Sequence, residues 1–114
     1  MAVEARNKHK DESVADDVHK QREELMVMLR EINSRFIHEI RGRGIMIGIE
    51  LKHSDGSPAG DIAGQILSQM LAKGIIMLAD GRDGNVLGFT PPFGLKLGEM
   101  VFVVDCLRKS LVAF

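Results

Sequence analysis

Apolar residues recur at helical spacing in three stretches of the chain. The first stretch carries them at steps of mostly three and four residues, at Val14, Val18, Leu25, Met28, Leu29, Ile32 and Phe36. This spacing predicts an amphipathic helix whose intervening charged residues, Arg22 among them, form a solvated face. A second helical pattern follows Ser57 and Pro58, which we place at its N-cap and first helical position, and stops at Gly74. The third begins near Leu97.

Four short apolar runs lie between the helical stretches. They cover residues 36–40, 45–51, 75–79 and 85–89. Glycine-containing segments at 41–44 and 80–84 separate them in pairs, which predicts two antiparallel strand pairs, each joined by a tight reversal. The resulting order, α-β-β-α-β-β-α, predicts a two-layer α+β domain.

The length fits a single domain, since the chain has 114 residues. We assign residues 13–114 to that domain and expect residues 1–12, which are mostly polar and lack a period, to be disordered or foreign to the natural protein. A net charge of −1 argues against a basic nucleic-acid binder, and no apolar run is long enough to span a bilayer. The single cysteine, Cys106, and an N-terminus without an apolar signal stretch favour a cytoplasmic setting.

The residues that could carry chemistry do not form a self-contained site. The glycines of residues 42–48 suggest a phosphate loop, but the third glycine falls one residue late for G-x-G-x-x-G, and a strand follows instead of a helix. Cys106 lies beside the apolar stripe of the last helix, which favours a half-buried thiol over a nucleophile. The histidines lack metal-ligand spacing and are expected at the surface or at strand edges: His9, His19, His38 and His53.

Three segments, taken in order, resemble a known family. They are residues 40–51, with the sequence I-R-G-R-G-I-M-I-G-I-E-L, residues 71–76, with L-A-K-G-I-I, and residues 84–93, with G-N-V-L-G-F-T-P-P-F. Together they resemble the C-terminal small domain of class III (ornithine/4-aminobutyrate type) pyridoxal-phosphate aminotransferases, over about residues 18–114. Residues 79–87, with the two prolines after them, are similar to the branch that holds alanine–glyoxylate transaminase-like proteins and ethanolamine-phosphate phospho-lyases.

The resemblance implies a parent enzyme that is larger than this chain. Such a parent is a fold-type-I homodimer that binds pyridoxal phosphate on a lysine of its large domain and transfers an amino group from an amino acid or amine to a 2-oxo acid. No lysine of this chain matches that motif, so the chain would be an inactive fragment that binds no cofactor or metal alone. Its partners would be its own large domain and a second subunit, in the cytoplasm or, for the parent, in mitochondria. The alternatives are a phospho-lyase parent and a non-catalytic interaction domain of the same fold.

The resemblance also implies one substrate contact. In many relatives a basic residue precedes the F-x-P-P stretch and binds a substrate carboxylate, a role suited to a guanidinium. Gly88 occupies that position here. Either the contact is lost, another residue such as Arg82 serves, or the register differs. Arg41 and Arg43 match the family's strand motif, where a structural ion-pair role is favoured over substrate contact.

Overall fold

The computed structural model describes the backbone of residues 2–114 and the side chains of residues 16–114. Its elements are, in chain order, α1 (Ala2–Arg30), β1 (Ile37–Arg43), β2 (Met46–Leu51), α2 (Gly60–Ala72), β3 (Leu78–Asp80), β4 (Val86–Phe89) and α3 (Leu97–Val112). The predicted order and the α+β class are confirmed. α1 begins at Ala2, before the apolar period starts at Val14. The side chain of His9 lies outside the described residues, and the assignment of residues 1–12 as disordered or foreign to the natural protein stays a prediction.

The four strands form one antiparallel sheet in the order β1-β2-β4-β3. α1 and α2 lie against the sheet, and α3 packs against both helices. Because side chains alternate along a strand, one face of β2 and β4 enters the core and the other faces away from the helices. The fully buried side chains of the core come from both layers: Leu25, Leu29, Ile47, Ile49, Leu51, Ile66, Met70, Leu87 and Leu107. No helix in the described part of the chain is long and apolar enough to cross a membrane.

Gly74 ends α2 as the sequence predicts. Its φ is +82°, its N–H donates to the carbonyl of Leu71 at 2.9 Å, and the N–H of Ile75 donates to the carbonyl of Met70 at 2.9 Å. These two bonds form a Schellman motif, which satisfies carbonyls that the helix end would otherwise leave unpaired. Ile75 and Met70 are both buried, so the motif also directs the chain back into the core.

The first hairpin turns later than predicted. β1 continues through residues 41–43, and the reversal falls at Gly44 and Ile45 instead of at 41–44. Gly44 has a φ of +59°, as the first central residue of a type II′ turn requires. The strand pair is therefore longer than its apolar pattern indicates, because exposed charged residues also join the ladder.

The start of α2 and the third strand also differ from prediction. α2 begins at Gly60 and has Ala59 as its N-cap, because Pro58 forms an isolated bridge with Lys52 and Ser57 donates its Oγ–H to Asp55 at 2.6 Å. β3 pairs only over Leu78–Asp80, while residues 75–77 precede the strand. The apolar content of this segment indicates a buried strand, which is wrong for the paired residues: Ile75 and Met77 are buried, whereas Leu78–Asp80 are all exposed.

Candidate functional site

Gly88 lies opposite Gly48 across β2 and β4, on the face of the sheet that points away from the core. Gly88 is buried, and a Cβ built on it would lie 3.4 Å from the carbonyl oxygen of Leu78 and 3.7 Å from Sδ of Met46. These are ordinary van der Waals distances, and Gly88 does not have a positive φ. The fold therefore does not require glycine at this position. A longer side chain would have to displace Met46, which is itself flexible and exposed.

A cavity of about 640 Å³ opens beside Gly88, between the ends of β3 and β4 and the start of α3. This volume falls in the range of about 300–1,000 Å³ that is typical of small-molecule sites. Its walls are mainly apolar, and the charged residues among them are Lys73 and Glu99. The apolar walls include Ile76, Leu78, Phe89, Leu95, Phe102 and Val103.

The cavity does not fit pyridoxal phosphate. That group needs a lysine for its Schiff base, an acidic or basic partner for its ring nitrogen and donors for its phosphate. Lys73 is the exposed C-cap of α2, and Glu99 accepts the N–H of Lys96 at 3.1 Å, where it caps α3. These two side chains belong to helix ends and provide no set of phosphate donors.

Arg82 lies on the exposed turn between β3 and β4. In the hairpin, Val86 pairs with Asp80 near this turn, whereas Gly88 pairs with Leu78 farther along the strands. The cavity lies at the Gly88 end of β4, and Arg82 does not line it. The structure thus places Gly88 at the cavity and Arg82 away from it, and the substrate roles considered for both residues stay predictions.

Arg41 lies on the same face of the sheet as Gly88 and forms two ion pairs. Its Nη1 lies 3.1 Å from Oε2 of Glu39 and 3.7 Å from Oε2 of Glu50. All three side chains remain partly exposed, so each pair contributes little to stability. This arrangement agrees with the structural role predicted for Arg41.

Arg22 is buried, which makes the predicted solvated face wrong at this residue. It is 8% exposed, donates from Nη1 to the carbonyl of Gly44, and from Nη2 to Oε1 of Glu23 at 2.8 Å. That hydrogen bond holds the pKa of Glu23 below its ordinary value. The Nε of Arg22 is buried without a hydrogen-bond partner. The sequence carried a signal for this position, because residue 22 completes the apolar stripe four residues after Val18 and three before Leu25.

Gly42 leaves the space that Arg22 occupies. A Cβ at Gly42 would lie 2.8 Å from Sδ of Met26 and 2.9 Å from Nε of Arg22. These separations are too short for a real Cβ, so a larger residue at 42 would displace the flexible side chains of Met26 and Arg22. The two glycines of the R-G-x-G motif therefore serve different structural purposes. Gly42 leaves room for packed side chains, and Gly44 adopts a left-handed backbone conformation.

The histidines and the cysteine lie close to their predicted places. His19 and His38 are exposed, and His53 is partly exposed. His53 forms a 2.9 Å contact through Nε2 with Oδ1 of Asp61, and this contact lowers the pKa of Asp61. Cys106 is more buried than predicted, at 4% exposure. Residues 16–114 contain no group of three or more side chains placed to hold a metal ion.

Comparison with known proteins places these features in a family. A family model described as aminotransferase class-III matches residues 1–111. The chain belongs to the class-III aminotransferase family. This confirms the family that the three sequence segments indicated.

Two curated relatives and one solved structure illustrate the likeness. An alanine/serine racemase from Pyrococcus horikoshii is 34% identical over 89 residues, which are 76% of this chain and 19% of the relative. A mitochondrial alanine–glyoxylate aminotransferase 2 homologue from Arabidopsis thaliana is 31% identical over 90 residues, 77% of this chain and 19% of the relative. A phospholyase from Arthrobacter, solved in complex with phosphoethanolamine, superposes with a TM-score of 0.82 over 95% of this chain and 26% of its own, at 22% identity.

This class-III chain spans about a fifth of the two curated relatives. The likeness to the phospholyase concerns the fold alone, because the sequence identity is only 22%. These three proteins are therefore much longer than this chain, which corresponds to one part of each.

Proposed function

We propose that this chain is the C-terminal small domain of a class III pyridoxal-phosphate-dependent aminotransferase. The parent enzyme would transfer an amino group from an amino acid or amine to a 2-oxo acid. The observation that carries this proposal is the family match over residues 1–111, combined with the 19% of each curated relative that the chain spans.

The cofactor of the parent would be held outside this chain. When the substrate is joined to pyridoxal phosphate as a Schiff base, the cofactor acts as an electron sink that stabilises the substrate carbanion. Since no lysine of this chain matches the family's cofactor-binding motif, we assign the cofactor to the large domain and expect the isolated chain to be inactive.

In this proposal the chain contributes a rigid wall to the parent. Apolar side chains at the mouth of the cavity are exposed, Ile76 and Leu78 at 69% each. Exposed apolar surface beside a cavity is typical of a surface that another domain or subunit covers. We propose that the large domain of the parent covers it, within a homodimer. Gly88 offers no side chain to a carboxylate, so a carboxylate contact would have to come from elsewhere in the parent.

Two measurements test the proposal. The natural reading frame that encodes this chain should continue upstream into a lysine-bearing large domain, and the protein made from that frame should transfer amino groups to a 2-oxo acid in the presence of pyridoxal phosphate. Under the same conditions the 114-residue chain should show no transfer. Amino transfer by the 114-residue chain alone would contradict the proposal, as would a natural frame that starts at its first residue.

A further inference from the structure

Gln21, the residue before Arg22 on α1, binds a loop that is distant in sequence. Its Nε2 donates to the carbonyl of Pro92 at 2.7 Å, and its Oε1 accepts the N–H of Leu95 at 2.9 Å. One side-chain amide thus forms two hydrogen bonds of opposite sense with the segment that joins β4 to α3. Because both bonds use the same planar amide, they fix the position and the orientation of this segment relative to α1.

Arg22 holds a different loop from the same helix. Consecutive side chains on a helix point in different directions, so Gln21 and Arg22 reach opposite neighbours. Arg22 donates to the carbonyl of Gly44, in the turn between β1 and β2. α1 therefore lies between two loops and binds each of them through one polar side chain.

The loop that Gln21 binds forms part of the cavity. Pro92 and Leu95 line it, and Gly98 and Glu99, at the start of α3, continue the same wall. The opposite wall comes from the sheet, at Leu78 and Gly88. The segment that Gln21 binds therefore forms one wall of the cavity, and the sheet forms the other.

We propose that Gln21 and Arg22 couple α1 to the β1–β2 turn and to the Pro92–Leu95 segment, so that the two loops and the cavity wall move with α1 as one unit. Gln21 is a positioning residue in this arrangement. The proposed function adds one consequence, which rests on it: a large domain that precedes α1 in the parent would reach the cavity wall through this helix.

Amide hydrogen exchange on the 114-residue chain, read residue by residue by NMR, tests the positioning role of Gln21. Gln21→Met removes both hydrogen bonds and should accelerate exchange at the Leu95 amide about fivefold, the effect of losing about 1 kcal/mol. Gln21→Glu should recover most of the protection only at a pH where the new carboxyl is protonated. The neutral acid has an O–H for the Pro92 carbonyl and a C=O for the Leu95 amide, whereas a carboxylate would face that carbonyl without a donor. Lys20→Met, at the exposed neighbouring position, is the matched control and should leave Leu95 unchanged.

The same spectra test the coupling between the two loops. Gln21→Met should also shift the amide resonances of the turn at Gly44 and Ile45, and Arg22→Lys should accelerate exchange at Leu95. Unchanged exchange at Leu95 in Gln21→Met, an equal change in Lys20→Met, or no recovery in Gln21→Glu with its carboxyl protonated would overturn the positioning role. Changes confined to the loop next to each substitution would overturn the coupling. These readouts involve neither cofactor nor parent, so their failure would leave the proposed function standing.

Discussion

At the scale of single residues, Gly60 and Gly64 lie one turn apart in α2 and have opposite surroundings. A Cβ on Gly60 would lie 2.6 Å from the backbone carbonyl oxygen of Asp83, whereas a Cβ on Gly64 would meet nothing within 4 Å. The β3–β4 turn can rest against the start of α2 only because residue 60 lacks a side chain. Gly64 has no such reason to be glycine.

Alanine substitutions at these two glycines should therefore change stability in opposite directions. Gly60→Ala should lower the free energy of unfolding by about 1–3 kcal/mol, because a backbone carbonyl must move to admit the methyl group. Gly64→Ala should raise it by about 0.5–1 kcal/mol, since alanine is the better helix former. Urea denaturation of both variants and the original chain measures the two effects. Equal effects of the two substitutions would contradict the close approach at Gly60.

At the scale of elements, the contact between His53 and Asp61 joins the end of β2 to the first turn of α2. His53 acts on Asp61 mainly through a hydrogen bond, which lowers the pKa of this carboxyl below its ordinary value of 3.8. A carboxyl whose pKa is lower in the folded than in the unfolded state stabilises the fold at every pH above its unfolded-state pKa. This contribution disappears as the pH falls through the folded-state pKa.

The free energy of unfolding should accordingly decrease as the pH is lowered below about 3.8, with part of the decrease due to Asp61. Asp61→Asn should make this decrease shallower. In a His53→Asn background the substitution of Asp61 should have a smaller effect, because the hydrogen bond is already absent. Chemical denaturation at a series of pH values measures the slope. The same slope in the original chain and in Asp61→Asn would show that the contact does not contribute.

The elements also show how far the sequence predicts the structure. The three helices and the α2 stop at Gly74 follow from local spacing and from the special backbone of glycine, which do not depend on the rest of the fold. The sequence predicts the first turn at residues 41–44, earlier in the chain than the observed turn at Gly44 and Ile45. The reason is that Arg41 and Arg43 are polar but still pair in the strand ladder. The sequence predicts Arg22 on the solvated face because its side chain is charged, although its position continues the apolar stripe of the helix.

The candidate site was less accessible to sequence reasoning. Family resemblance directed attention to Gly88, but the cavity beside it combines the ends of β3 and β4 with the start of α3, whose relative placement depends on the complete fold. Gln21 contacts Pro92, which lies 71 positions away in the sequence, and Leu95, which lies 74 positions away. No local pattern indicates such a pair, so these contacts could be found only in three dimensions.

At the scale of the whole molecule, the exposed apolar residues around the cavity should make the isolated chain associate. Ile76 and Leu78 are 69% exposed, and Phe93 and Leu97 are exposed to a similar degree nearby. A surface of this kind is expected to bind a hydrophobic dye and to self-associate as concentration rises.

Ile76→Lys should reduce both dye fluorescence and association, because it places a charge at the mouth of the cavity. Leu71→Lys is the matched control: Leu71 is 61% exposed on α2 but does not line the cavity. Fluorescence titration and sedimentation velocity measure the two properties. If the chain stays monomeric and does not bind dye at any concentration, the claim that this surface is covered by another domain would be contradicted.

The most direct test of whether this chain is a non-catalytic domain is to trap pyridoxal phosphate on it. The chain is incubated with the cofactor, reduced with borohydride, and analysed by intact mass and peptide mapping. We expect only partial labelling, spread over several exposed lysines, because no lysine among residues 16–114 lies in a site built for the cofactor. Among the residues whose side chains are described, Lys73 is the one lysine that lines the cavity. A single stoichiometric adduct on Lys73, abolished by Lys73→Met, would show that the chain holds its own cofactor and would contradict the account.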